Sequence, residues 1–159
     1  MPAMPRYSGF TRILLAAIVL LLLLPRLTGV DSGLTPDAKW DHSSVWSTPL
    51  WLRVWLLGVL FPVFVASLCF VRRSREARFA AGGFVLSHLP MATGLFEATV
   101  GSVGLIHLVC WSPALIVLAR RRASVDPATP FGLWVHAMLA VIAISLVFDA
   151  RDALGFFVF

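Results

Sequence analysis

FAAGGFVLSHLPMATGLFEATVGSVGLIHLVCWSPALIVLA, the stretch from Phe79 to Ala119, carries Glu97 as its one formal charge. Arginines close it on both sides: Arg72, Arg73, Arg75 and Arg78 before it, Arg120, Arg121 and Arg122 after it. A helix needs only about 20 residues to cross the ~30 Å hydrocarbon core of a bilayer. As one helix, at ~1.5 Å per residue, the stretch would run roughly 60 Å, so two crossings fit it better than one. Basic residues in short loops stay on the cytoplasmic side. An even number of crossings returns both arginine clusters to that side.

Composition agrees with a membrane location. Of the 159 residues 59% are hydrophobic and 13% charged, where soluble domains carry ~25% charged residues, and the mean hydropathy is +0.89. A chain of this length has room for one helical domain. The net charge of +5 does not point to nucleic acid. Of the 13 lysines and arginines, Arg6, Arg12, Arg72, Arg73, Arg75, Arg78, Arg120, Arg121 and Arg122 flank apolar runs, which reads as topology signal and contact with anionic headgroups. Twelve arginines stand against the single lysine Lys39, and alanine is abundant, the usage of a GC-rich genome; a bacterial inner membrane is the expected location. Cys69 and Cys110 each lie inside an apolar run, where a thiol acts as a small hydrophobe. They have neither disulfide nor zinc spacing.

Working outward from the central stretch, five crossings are expected, at 10–30, 50–71, 79–97, 101–119 and 131–148, with a turn near Ala98 to Ser102 between the third and fourth. The first follows Arg6 and Arg12 and is interrupted by Pro25-Arg26. A basic n-region and a short apolar h-region also describe a secretory signal; the anchor reading is preferred because Leu27, Gly29 and Val30 continue the apolar character. Cleavage would leave four crossings. The polar loop 31–49 carries Asp31, Asp37, Asp41, Trp40 and Trp46, and is placed outside, its tryptophans at headgroup level together with Trp51 and Trp55. Pro62, Pro90 and Pro113 predict kinks. Asp126 or Thr129 is placed to cap the last helix, with Pro130 in its first turn. The N-terminus is then cytoplasmic and the C-terminus outside.

Gly83, Ser87, Pro90, Gly94 and Glu97 recur at alternating intervals of four and three, and so share one helical face. In a membrane helix a small-residue stripe is a packing seam, since lipid supplies no hydrophobic drive between helices. The packing reading is preferred; a wet pathway is the alternative, because the stripe includes a hydroxyl and ends in an acid. Gly101 and Gly104 continue the alternation, which keeps open a single long helix in place of the third and fourth crossings.

His88, His107 and His136 fall inside expected crossings, where polar side chains are costly and often functional. Counted from the expected turn, His88 and His107 lie roughly 16 and 12 Å deep on adjacent antiparallel helices, so they can meet. Asp149, Asp152, Arg151 and Glu97 are placed near the outer surface. Together His88, Glu97, His107, His136 and Asp149 form the candidate intramembrane polar site. No catalytic motif is present: no His-Glu-x-x-His pair, nucleophile elbow or phosphate loop. No metal site and no cofactor are assigned.

The fold expected is an all-α integral membrane bundle. Three function classes follow. The first is a non-enzymatic membrane subunit or scaffold, with a membrane-protein partner or its own copies as partner and the lipid bilayer as its setting. The second is a small proton or cation channel or transporter using the intramembrane histidines and Glu97. The third is a haem-binding redox protein with His88 and His107 as axial ligands.

Overall fold

The computed structural model describes residues 35, 37–40, 44–95 and 97–158. The expected crossing at 10–30, and with it the choice between anchor and signal, lies outside the described residues. Those described fold as helices only, with no strand beyond one isolated bridge. A single turn, α1 (Ser44–Ser47), precedes a composite helix α2 (Leu50–Cys69). There follow α3 (Arg75–Ala92), α4 (Val100–Arg121), extended by the 3₁₀ turn Arg122–Ser124, and α5 (Pro130–Val158).

Three of these helices are long and apolar enough to cross a membrane: Leu50–Cys69, Val100–Ser124 and Pro130–Gly155. α3 is not one of them, because its 18 residues include Arg75, Glu76 and Arg78 in the first two turns.

α2 opens at Pro49, whose carbonyl accepts from Leu52 and Arg53. The proline expected to distort it, Pro62, lies just beyond a π-wound segment, Val54–Leu60, in which Phe61 N–H reaches back to the Leu56 carbonyl. Proline has no amide to donate, and its ring clashes with the carbonyl one turn earlier. A wider turn ahead of it relieves both problems.

The central stretch forms two helices, not one long one, and they part earlier than expected. α3 stops at Thr93, with Gly94 at φ +68°. Leu95 N–H donates to the Pro90 carbonyl at 3.0 Å and Gly94 N–H to that of Met91 at 3.1 Å, the paired bonds of a Schellman stop. α4 starts at Val100 through a reciprocal cap: Ser102 N–H donates to Thr99 Oγ1 at 3.3 Å and Thr99 N–H to Ser102 Oγ at 2.8 Å. The 93–99 connection is clamped by residues 38–40. Trp40 N–H donates to the Ala98 carbonyl at 2.8 Å, Val100 N–H to that of Ala38 at 3.0 Å, and Lys39 Nζ lies 3.2 Å from Glu97 Oε1.

At the other end Ser74 caps α3, accepting from Ala77 N–H and donating to Glu76. Arg121 Nε sits 3.8 Å from Glu76 Oε1. This half-exposed pair adds little energy, but it shows that both arginine clusters share one end of the bundle. Thr129 caps α5, accepting from Gly132 N–H at 3.0 Å, with Pro130 next to it as expected. A Cβ at Gly132 would stand 1.8 Å from the Asp126 carbonyl oxygen; only glycine lets the loop fold over this first turn.

α5 is the axis of the bundle. Of its apolar span 56% is buried, against 22% for α2 and 28% for α4. Val135, Met138, Val141 and Ile142 are fully enclosed, and Trp111, Leu118, Trp55 and Phe64 pack into the same core. The helix was expected to end at Phe148. It continues to Val158, taking Asp149, Arg151 and Asp152 into its length. No proline or capping turn follows Phe148, and charge alone does not stop a helix whose backbone bonds can continue.

Candidate functional site

The two helix crossings that build the site are set by glycine. A Cβ on Gly83 would meet the Cys110 carbonyl oxygen at 2.5 Å, and one on Gly104 the Asp149 carbonyl oxygen at 2.6 Å. Both distances are to backbone, which cannot swing aside. Gly83 therefore draws α3 onto α4, and Gly104 draws α4 onto α5, the close approach that small residues give membrane helices.

One turn beyond Gly104, His107 reaches across that contact. Its Nδ1 lies 3.2 and 3.3 Å from the two carboxylate oxygens of Asp149. The side chains are 11% and 17% exposed, so water does little of the work of holding them. The other ring nitrogen, Nε2, is buried with no hydrogen-bond partner among the described residues.

His107 lies in a cluster of near-parallel rings, with Trp111 and His88 themselves 6.2 Å apart. Trp111, one turn further on, stacks on it with centroids 3.9 Å apart and planes 17° apart; His88 of α3 lies at 5.4 Å and 29°. Phe84 closes the far side of His88 at 4.1 Å. Beneath the stack, the buried Ser87 hydroxyl accepts from Trp111 Nε1–H at 3.0 Å and lies 2.9 Å from the Phe84 carbonyl. His88 Nδ1 is 2.9 Å from both the Ser87 hydroxyl and that carbonyl. Ser87 and Trp111 thus fasten α3 to α4 at the level where His107 and Asp149 fasten α4 to α5.

Of the residues singled out in the sequence, the structure brings together His88, His107, Asp149, Ser87 and Gly83. Others lie elsewhere. Glu97 is exposed and paired with Lys39, so it neither continues the α3 face nor shares a site with Asp149. Asp149 is not a surface acid at a helix end; it is half-buried within α5. Gly94 terminates α3, and a Cβ there would meet nothing within 4 Å, so it is no packing contact. Pro90 supplies the carbonyl of the helix stop. His136, 4% exposed, keeps its Nδ1 2.8 Å from the Gly132 carbonyl of its own helix.

Haem ligation asks two imidazoles to aim a nitrogen at a common iron from opposite sides; here the rings of His88 and His107 lie side by side, 5.4 Å apart and 29° from parallel, with His107 Nδ1 against Asp149 and His88 Nδ1 against the Ser87 hydroxyl. Among the described residues no three histidine, cysteine or carboxylate side chains converge as a metal site would need. Trp111 was missed in the sequence, and Gly104 was read only as continuing the α3 stripe. Their signal was there, since Gly104, His107 and Trp111 follow at intervals of three and four and share one face. No protein family, curated protein or solved structure matches the chain.

Proposed function

We propose that this is a multi-pass integral membrane protein of a bacterial inner membrane, with five crossings, the third taken by α3 despite the charges in its first two turns, its N-terminus cytoplasmic and its C-terminus outside. Its role is that of a non-enzymatic membrane subunit, a rigid helical unit that packs against a partner membrane protein or its own copies. One observation carries this reading: the interior polar groups Ser87, Trp111, His107 and Asp149 are bonded to one another across helices. In lipid such bonds act as fasteners. The outer face of α2, with Leu50, Val54, Leu57, Phe61, Val65 and Leu68 exposed at intervals of three and four, supports a surface meant for lipid tails or another helix.

A second reading, proton or cation transfer, is favoured by one atom, the unpartnered buried Nε2 of His107. A proton taken up there would share its charge with Asp149 through the ring. Purified protein in liposomes, with and without His107→Gln, separates the two. The subunit reading expects no proton flux from either form and a lower unfolding temperature for the variant. Flux in the natural protein that the variant loses would replace it with the transfer reading.

A further inference from the structure

Between α3 and α4, open at the surface of the bundle, runs a groove of about 400 Å³. Its lining is apolar apart from Arg78, with Phe79, Leu86, Val109 and Pro113 alongside Gly82. A Cβ on Gly82 would meet nothing within 4 Å, so the missing side chain is what keeps the groove open. The adjacent Gly83 holds the two helices in contact beneath it.

The groove has one charged lining residue, Arg78, and it stands at the end where the arginine clusters gather. Arg75 is held close by, its guanidinium 5.3 Å from the centre of the Phe79 ring. Arg78, Arg75 and Arg120 are exposed, while Arg121 is turned toward Glu76. From Arg78 to Leu86 the groove follows roughly 12 Å of helix, most of the ~15 Å that one leaflet contributes to a ~30 Å hydrocarbon core. An apolar channel of that length with cations at its mouth matches an amphiphile with a negative head.

We propose that this groove binds an anionic phospholipid of the cytoplasmic leaflet, one acyl chain lying over Gly82 and the phosphate resting against Arg78 and Arg75. The assignment rests on the membrane reading above. The headgroup preference comes from the two guanidiniums, each worth about fivefold in binding near an anionic surface. The groove shape sets where the chain goes.

The test uses full-length protein recovered from carbonate-washed membranes. A protein absent from that fraction would overturn the membrane reading itself, and the site with it. Recovered protein is incubated in mixed micelles of equimolar phosphatidylglycerol and phosphatidylcholine, and its lipid adducts are counted by native mass spectrometry. Phosphatidylglycerol is expected to be retained preferentially. Arg78→Gln should reduce that preference about fivefold, and Gly82→Phe should remove the adduct by filling the groove, with the helical circular dichroism unchanged. Equal retention of the two lipids by the natural protein overturns the proposal. So does a preference that survives both Arg78→Gln and the Arg75→Gln/Arg78→Gln pair, variants on an exposed surface that leave the core untouched.

Discussion

At the residue scale the glycines divide into those that touch backbone and those that do not. Gly104 faces the Asp149 carbonyl closely enough that a methyl group cannot fit. Gly104→Ala should push α4 from α5 and lengthen the His107–Asp149 bond, at a cost of about 1–3 kcal/mol for overpacking. Gly82→Ala, which meets open space, should gain about 0.5–1 kcal/mol from helix propensity. Thermal unfolding in detergent compares them; equal effects would mean that the α4–α5 approach is looser than these distances. The His107–Asp149 pair gives a second prediction. A double-mutant cycle with His107→Gln and Asp149→Asn should return a coupling of about 1 kcal/mol, within the range of interhelical hydrogen bonds in membranes. A coupling near zero would show that each side chain matters only through its own packing.

At the scale of elements, the arginine-bracketed stretch was legible because length and charge act over tens of residues and tolerate local detail. The meeting of His88 with His107 was legible for the same reason, since two antiparallel helices of known rise bring similar depths together, and a turn displaced by a few residues changes that little. Helix ends were not, and Gly94 shows why. Its interval from Ser87 and Pro90 suits a packing face, yet the same glycine, followed by Leu95, suits a stop, and periodicity alone does not distinguish them. Asp149 failed in the opposite way: a charged tetrad looked like a helix end, whereas the carboxylate is matched by a histidine 42 positions earlier, a pairing no local pattern carries. The stop at Gly94 is itself testable. Gly94→Ala must place a side chain at φ +68°, which costs about 1–2 kcal/mol, while Gly82→Ala in the body of the same helix does not. If the two variants unfold at the same temperature, the chain leaves α3 by another route.

At the scale of the whole molecule, two contacts far apart orient everything between them. The Glu76–Arg121 pair marks the end where the arginine clusters gather, and residues 38–40 grip the 93–99 connection at the other. α3 and α4 therefore run antiparallel between two chemically different ends, one rich in arginine and one carrying Asp37, Glu97 and several tryptophans. In a bilayer that asymmetry selects an orientation, because cationic loops resist translocation. With Cys69 and Cys110 replaced by alanine, a single cysteine introduced as Asp37→Cys should react with a membrane-impermeant maleimide on intact spheroplasts. Ala123→Cys, beside the second arginine cluster, should react only after the membrane is opened. The reverse pattern would invert the protein and place the arginines outside. Labelling of both positions on intact cells would mean that α4 does not cross, and would make its apolar outer surface, including Leu105, Val109 and Ile116, a contact with protein rather than with lipid.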